Sequence, residues 1–217
     1  VSDIFNEVDE EVRREQLKKL WDHYSVYIVG AAVLLVVAVA GWRGYEWLQA
    51  KKAAEAGAAF QSAAALSDQG KHAEAEAAFA KLAETSTAGY RDLARLRIAA
   101  ELAQHDTKAA VAAYDAVAAD SGASPVMRDL AALRAGYLLV DSGSFADVRQ
   151  RLEPIAGDGR TFRNSARELL GLAALKAGDT TAARNWFEAI ASDPDASPDQ
   201  RSRIDMMMVL VPATAKS

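Results

Sequence analysis

Three regimes of hydrophobic patterning follow one another along the chain. In residues 1–23, Ile4, Phe5, Val8, Val12, Leu20 and Trp21 recur at mostly helical spacings among charged residues, which predicts an amphipathic helical leader. From Tyr24 to Trp42 that pattern is lost, and 19 consecutive residues carry no formal charge. As a helix this stretch spans about 28 Å, close to the hydrocarbon thickness of a bilayer. Behind Lys52, alanines and single bulky residues alternate with polar ones at i, i+4, i+7 and i+8, the spacing of one buried helix face.

The third regime repeats. Turn signals fall at Gly70, Asp106, Gly143 and Gly178, spaced by 36, 37 and 35 residues. Twelve positions before each turn stand Ala58, Ala94, Ala131 and Ala166; seven before stand Ala63, Ala99, Gly136 and Gly171; four before stand Leu66, Leu102, Leu139 and Ala174. After the turns come the columns Ala75, Ala110, Val148, Ala183 and Phe79, Tyr114, Leu152, Phe187, then Leu82, Val117, Ile155, Ile190 with Ala83, Ala118, Ala156, Ala191 behind them. Two antiparallel helices approach closely where both present Ala or Gly, and the bulky column fills the gap to the next pair. No pair can bury its apolar face alone, so stacking supplies the stability.

A period of ~34 residues with Ala-x3-Phe in the second helix resembles the tetratricopeptide repeat, without that signature's Trp and Tyr. The expected fold is all-α: a single N-terminal transmembrane helix, a TPR-like right-handed solenoid of four helical hairpins, and a C-terminal capping helix. The expected boundaries are 1–23 for a cytosolic amphipathic leader, 24–48 for the anchor and 49–217 for the TPR-like domain, with hairpins at about 53–84, 88–119, 124–156 and 161–193 and the closing helix at 197–211. Ser124-Pro125 and Ser197-Pro198 read as helix starts, a serine cap before a first-turn proline. Gln200 completes a capping box with Ser197. The Met206-Met207-Met208 run reads as capping contact or as an adaptable partner surface.

The uncharged segment has two readings. Ala38-Val39-Ala40 fits a signal-peptidase site, yet the leader before it is long and acidic where a signal peptide has a short basic one. Aromatic side chains flank it, Trp21 and Tyr24 on one side and Trp42, Tyr45 and Trp47 on the other. Such rings prefer the headgroup level, so these five read as the belts of a retained anchor contacting the lipid bilayer. Arg13, Arg14, Lys18 and Lys19 precede the segment and Arg43, Lys51 and Lys52 follow it. Four cations against three favour a cytosolic N-terminus.

The net charge is −5, divided as −3 over residues 1–24, +2 over 25–52 and −4 over 53–217. No part is strongly basic, so nucleic acid is not an expected partner. The chain has no cysteine, which excludes disulfides and thiol chemistry. Of the histidines, His23 flanks the apolar segment while His72 and His105 stand at turns, and no two have ligand spacing. Gly157-Asp158-Gly159 does not continue to the Gly-Lys-Ser/Thr of a phosphate loop. Asp193 to Asp199 alternates acids as a calcium loop does, with Pro198 where the central Gly belongs and Ile204 where the bidentate Glu belongs. No catalytic residue, cofactor or metal site is expected.

One column of charges stands out. Fifteen positions before the turns lie Arg91, Arg128 and Arg163, each after a bulky Tyr90, Met127 or Phe162, with Arg201 at the matching place in the closing helix. A cation near a helix N-terminus opposes the macrodipole at a cost of a few tenths of a kcal/mol, so its recurrence asks for a recurring partner. One reading is a ladder of internal ion pairs. The other is a basic, bulky-edged strip on the first-helix face that holds an acidic or extended segment.

With anchor and repeats in place, the chain resembles the ancillary SecYEG translocon subunit family (YfgM-like). The matching stretches are VSDIFNEVDEEVRREQLKKLW as leader, AGWRGYEW at the outer membrane edge and KKAAEAGAAF opening the first repeat. The resemblance covers essentially the whole chain. It implies a single-pass protein of the bacterial inner membrane, N-terminus cytosolic and C-terminal domain periplasmic. The partners it implies are the SecYEG translocon, a membrane-anchored periplasmic chaperone of the PpiD type and unfolded secreted polypeptides. It carries no catalytic residues and favours the retained anchor. A cell-envelope assembly scaffold unrelated to secretion would share this architecture, and only partner identity separates the two.

Overall fold

The computed structural model describes the backbone of residues 2–211, and within it every side chain except those of 2–13, 15–17 and 88. The leader's Ile4, Phe5, Val8 and Val12 therefore lie outside the described side chains. The described residues contain helices and no strand. They run α1 (Ser2–Asp68), α2 (His72–Thr85), α3 (Ala88–Leu102), α4 (Thr107–Ala118), α5 (Pro125–Ser142), α6 (Phe145–Leu152), a short 3-10 turn (Glu153–Ile155), α7 (Arg163–Lys176), α8 (Thr180–Ala191) and α9 (Pro198–Leu210). The chain divides into two compact units, Val1–Lys52 and Ala53–Ser217.

The first unit is helix alone. Its most apolar 18-residue window has a mean hydropathy of 2.3, and no residue of that window is buried. This is one helix long and apolar enough to cross a membrane. Val26, Tyr27, Leu34 and Val37 are exposed, as lipid-facing side chains are.

In the second unit each helix from α2 to α9 packs on the next in chain order, and α7 also reaches α5. The starts are set by side chains. Asp106 and Asp179 accept from the amides of Ala109 and Ala182, both at 2.9 Å. Ser144 with Asp147 and Ser197 with Gln200 form reciprocal capping boxes on α6 and α9, satisfying first-turn donors that have no intrahelical partner. The stops differ. Gly70 (φ 74°) and Gly178 (φ 79°) take the left-handed conformation that glycine adopts without strain. Lys71 N–H and Asp179 N–H then donate back to the carbonyls of Leu66 and Ala174 at 3.0 and 2.9 Å. Gly143, at φ −98°, needs no such freedom.

Four apolar cores follow the stacking logic. Ala56 and Ala63 of α1 pack with Ala75, Phe79 and Leu82 of α2 and with Ala94 of α3. Leu96 and Ala99 of α3, Tyr114 and Val117 of α4, and Ala131 and Ala135 of α5 form the next. The third joins α5, α6 and α7 through Ala132, Val148, Leu152, Ala166 and Leu170. The fourth joins α7, α8 and α9 through Ala174, Phe187, Ile190 and Ile204. Every core takes in the first helix of the following pair or the closing helix, so the cores are shared along the array.

The small-residue column sits under the bulky one. A Cβ on Gly136 would lie 2.6 Å from Leu152 Cδ2, and one on Gly171 would lie 2.3 Å from Phe187 Cε1. Two column members depart from expectation. Ala58 is exposed, because its column faces backwards: Ala94, Ala131 and Ala166 each join the core of the pair before them. No pair precedes α1 and α2 among the described residues. Ala191 is also exposed, at the very end of α8.

Candidate functional site

The loop edge of the array, where each first helix begins and each second helix ends, carries most of its long-range polar contacts. Its densest node lies between α7 and the segment after α8. Arg163 donates to both carboxylate oxygens of Asp193, Nε to Oδ2 at 2.6 Å and Nη2 to Oδ1 at 2.8 Å, and to Asp195 Oδ2 at 2.6 Å. Arg167, its side chain 9% exposed, donates to Asp193 Oδ2 and Asp158 Oδ1 at 2.8 Å each and to the carbonyl of Ala156 at 2.8 Å. The Arg163 hydrogen bonds hold the Asp193 carboxyl well below the usual carboxylate range, and burial opposes this without prevailing. The Asp193 and Asp195 carboxylates in turn raise Arg163. A cleft of about 550 Å³ opens here. Asp193, the first acid of the calcium-like stretch, is thus occupied by two guanidinium groups.

The strip residues fall into separate environments along this edge. Arg201 donates to the carbonyls of Asp193 and Pro194 at 2.9 and 3.1 Å, so it shares a node with Arg163. Arg91 meets its neighbour Asp92, at 3.4 Å, and its charge also acts on Asp120. Tyr90 packs on the first core, 6.2 Å from the Phe60 ring, and Met127 packs on the second. Phe162 is half-buried. Arg128 lines a separate cleft of about 310 Å³ between α4, α5 and α6. The structure therefore joins Arg163 and Arg201 and leaves Arg91 and Arg128 apart.

Other polar contacts leave no periodic signal in the sequence. Arg95, four residues after Arg91, pairs with Asp120 at 2.5 Å. Arg151 of α6 grips Asp115 of α4 with Nε and Nη2, at 2.9 and 2.7 Å. At the opposite edge, His72 Nδ1 lies 2.7 Å from Glu101 Oε2. Burial raises the Glu101 pKa, but hydrogen bonds with Ser67 and His72 outweigh it and the net direction is down. Arg95 and Arg167 share one column, eleven positions before their turns. The signal was broken by Ala59 and Ala132 at the other two places.

In the first unit, the five belt aromatics Trp21, Tyr24, Trp42, Tyr45 and Trp47 are all exposed. The 21-residue step from Trp21 to Trp42 rises about 31 Å along a helix. The Trp42 indole donates to Glu46 at 2.9 Å, and the Lys51 ammonium lies 5.7 Å from the Trp47 ring centre. Among the described residues no three His, Cys, Asp or Glu side chains gather as a metal site would require.

A long apolar helix followed by helices that each pack on the next, with ion pairs along their loop edge, defines a helical-repeat architecture. The family comparison gives the more particular class. A family model described as a tetratricopeptide repeat-like domain matches residues 18–208, and the chain belongs to that family. The match begins upstream of the apolar segment and so includes it. No curated protein and no solved structure matches the chain. TPR-like folds are typically non-catalytic scaffolds that mediate protein–protein interactions.

Proposed function

We propose that the chain is a membrane-tethered TPR-like scaffold at the Sec translocon, which assists handover of secreted polypeptides to periplasmic chaperones. The observation that carries this reading is the wholly exposed apolar helix, with its aromatic belts, inside the same family match as the helical array. A signal peptide would not belong to the mature domain's family; an anchor would. The array then forms a right-handed solenoid of four hairpins on the periplasmic side of the bacterial inner membrane, closed by α9. Residues 1–23 remain in the cytosol. The resemblance to the YfgM-like family supplies the partners, SecYEG and a PpiD-type chaperone. The mechanism is geometric: the anchor fixes the array beside the translocon exit, and tethering raises the effective concentration of a passing chain and its chaperone into the millimolar range. On the array, the loop-edge strip from Tyr90 to Arg201 supplies the contact surface, chiefly through Arg91 and Arg128, whose guanidinium groups are least committed internally.

The test is purification of the tagged full-length chain in a gentle detergent from membranes of its own host. The expected result is recovery of translocon subunits and a membrane-anchored chaperone above the level seen with an unrelated single-pass protein. Recovery of envelope-assembly machinery alone would replace the secretion role with the assembly role.

A further inference from the structure

The loop-edge arginines follow an internal rule that one pair breaks. In α7, Arg163 and Arg167 stand fifteen and eleven positions before the turn, and both close on Asp193, fifteen after it. In α3 the same positions hold Arg91 and Arg95, and Arg95 closes on Asp120, fourteen after the turn. In α5 they hold Arg128 and Ala132, and the acid at the matching place is Asp158. Asp158 does not return to Arg128. Its side chain is 96% exposed and is held by Arg167 of the next pair at 2.8 Å. Arg128 is left with no ion pair among the described residues, and its Nε is sealed from solvent with no acceptor.

The surrounding cleft makes this vacancy specific. Its other charges are matched: Arg151 grips Asp115 at 2.7 Å, and Arg160 meets Asp129 at 3.4 Å. Arg128 is the one uncompensated charge lining it. Arg128 has no counter-charge in a cleft whose other charges are paired, and a carboxylate supplies the planar, two-pronged acceptor that fits the open edge of a guanidinium. Asp115 and Asp129 on the cleft wall disfavour a multiply charged anion such as phosphate and leave room for one negative charge. We propose that Arg128 is the receptor for an aspartate or glutamate side chain on an extended acidic segment of a partner polypeptide. That carboxylate meets the outer, Nη edge of Arg128, because its Nε is sealed, and supplies the counter-charge that Asp193 supplies to Arg163. This rests on the scaffold reading and names the chemistry of its partner.

The full-length chain in detergent, titrated with a fluorescent peptide of alternating glycine and glutamate, tests it. Arg128→Gln should weaken binding about tenfold or more, the range of a charge-assisted hydrogen-bond pair. Lys81→Gln, on an exposed position of α2 outside the strip, should change it little. Replacing glutamate by glutamine in the peptide should cost as much as the Arg128 substitution. Inorganic phosphate at matched ionic strength should not displace the peptide. A second measurement needs no variant: phenylglyoxal modification of Arg128, read by mass spectrometry, should slow with the glutamate peptide and not with the glutamine one. No binding, equal affinity for R128Q, an unprotected Arg128, or displacement by phosphate would each overturn the proposal. If translocon subunits still co-purify in that case, the scaffold stands and only this site is lost.

Discussion

Replacing Gly171 with alanine puts a methyl group where Phe187 already stands. The new Cβ would lie 2.3 Å from Cε1, 2.7 Å from Cδ1 and 2.8 Å from Cζ of that ring. Phe187 is fully buried, packed with Ile190 and Ile204, so the ring has nowhere to retreat. Ordinary carbon contact near ~3.5 Å requires α7 and α8 to separate by roughly 1 Å or the ring to leave its rotamer. Overpacking of this kind costs about 1–3 kcal/mol. Alanine returns about 1 kcal/mol of helix propensity over glycine, so the clash decides the sign and the net loss is up to ~2 kcal/mol. For a domain of this size each kcal/mol moves Tm by about 2–4 °C. Circular dichroism melting of the full-length chain in detergent should therefore show a Tm lowered by as much as ~8 °C. Gly89→Ala is the control: no atom lies within 4 Å of its Cβ position, so Tm should hold or rise. Adding Phe187→Leu to Gly171→Ala should cost less than the two changes summed, the signature of a shared contact. A Gly171→Ala chain that melts above the parent would refute the packing of α7 on α8 described above.

Arg167→Gln should be among the most damaging polar changes, costing about 3–5 kcal/mol by urea unfolding, because it strips a buried ion pair and frees the carbonyl of Ala156; a loss below about 1 kcal/mol would demote that node to a surface pair. Asp193 is ionised in the fold at pH values where the unfolded chain, with its carboxyl near 3.8, already binds a proton. Its contribution is complete above that value and declines as pH falls through it, so Asp193→Asn should lower stability at neutral pH and flatten the acid-side loss in urea melts. Ser197→Ala removes the acceptor for Gln200 N–H at 3.2 Å and should cost about 1 kcal/mol, with fraying confined to α9 by hydrogen exchange.

The packing columns were legible in the sequence because one geometric demand recurs at every crossing. Ala63, Ala99, Gly136 and Gly171 are small for the same reason, the bulky residue seated over each. Where the demand lapses the column misleads, as at Ala58, which has no preceding pair to face. The apolar helix was legible because 19 uncharged residues flanked by aromatic rings have few other uses. The ion pairs were not. Arg163 lies 30 residues from Asp193 and Arg95 lies 25 from Asp120. The acid sits fourteen places after one turn and fifteen after another, so no fixed offset links cation to partner. The arginine column itself was visible. That its members meet different fates, Arg163 and Arg201 tied to one loop and Arg128 left over, depends on which way Asp158 points, and no local pattern states that.

The absence of cysteine makes a retained helix, with the array beyond the membrane, directly measurable. Single cysteines at Ser2 and at the exposed loop residue Ser121 would be challenged in spheroplasts of the host with a membrane-impermeant maleimide, and the intact mass of the membrane-bound chain read alongside. With a retained anchor, Ser121→Cys is labelled, Ser2→Cys is labelled only after lysis, and the chain keeps every residue through Trp47. A chain beginning at Gly41 and released from the membrane, or a Ser121→Cys that stays unlabelled until lysis, would contradict it.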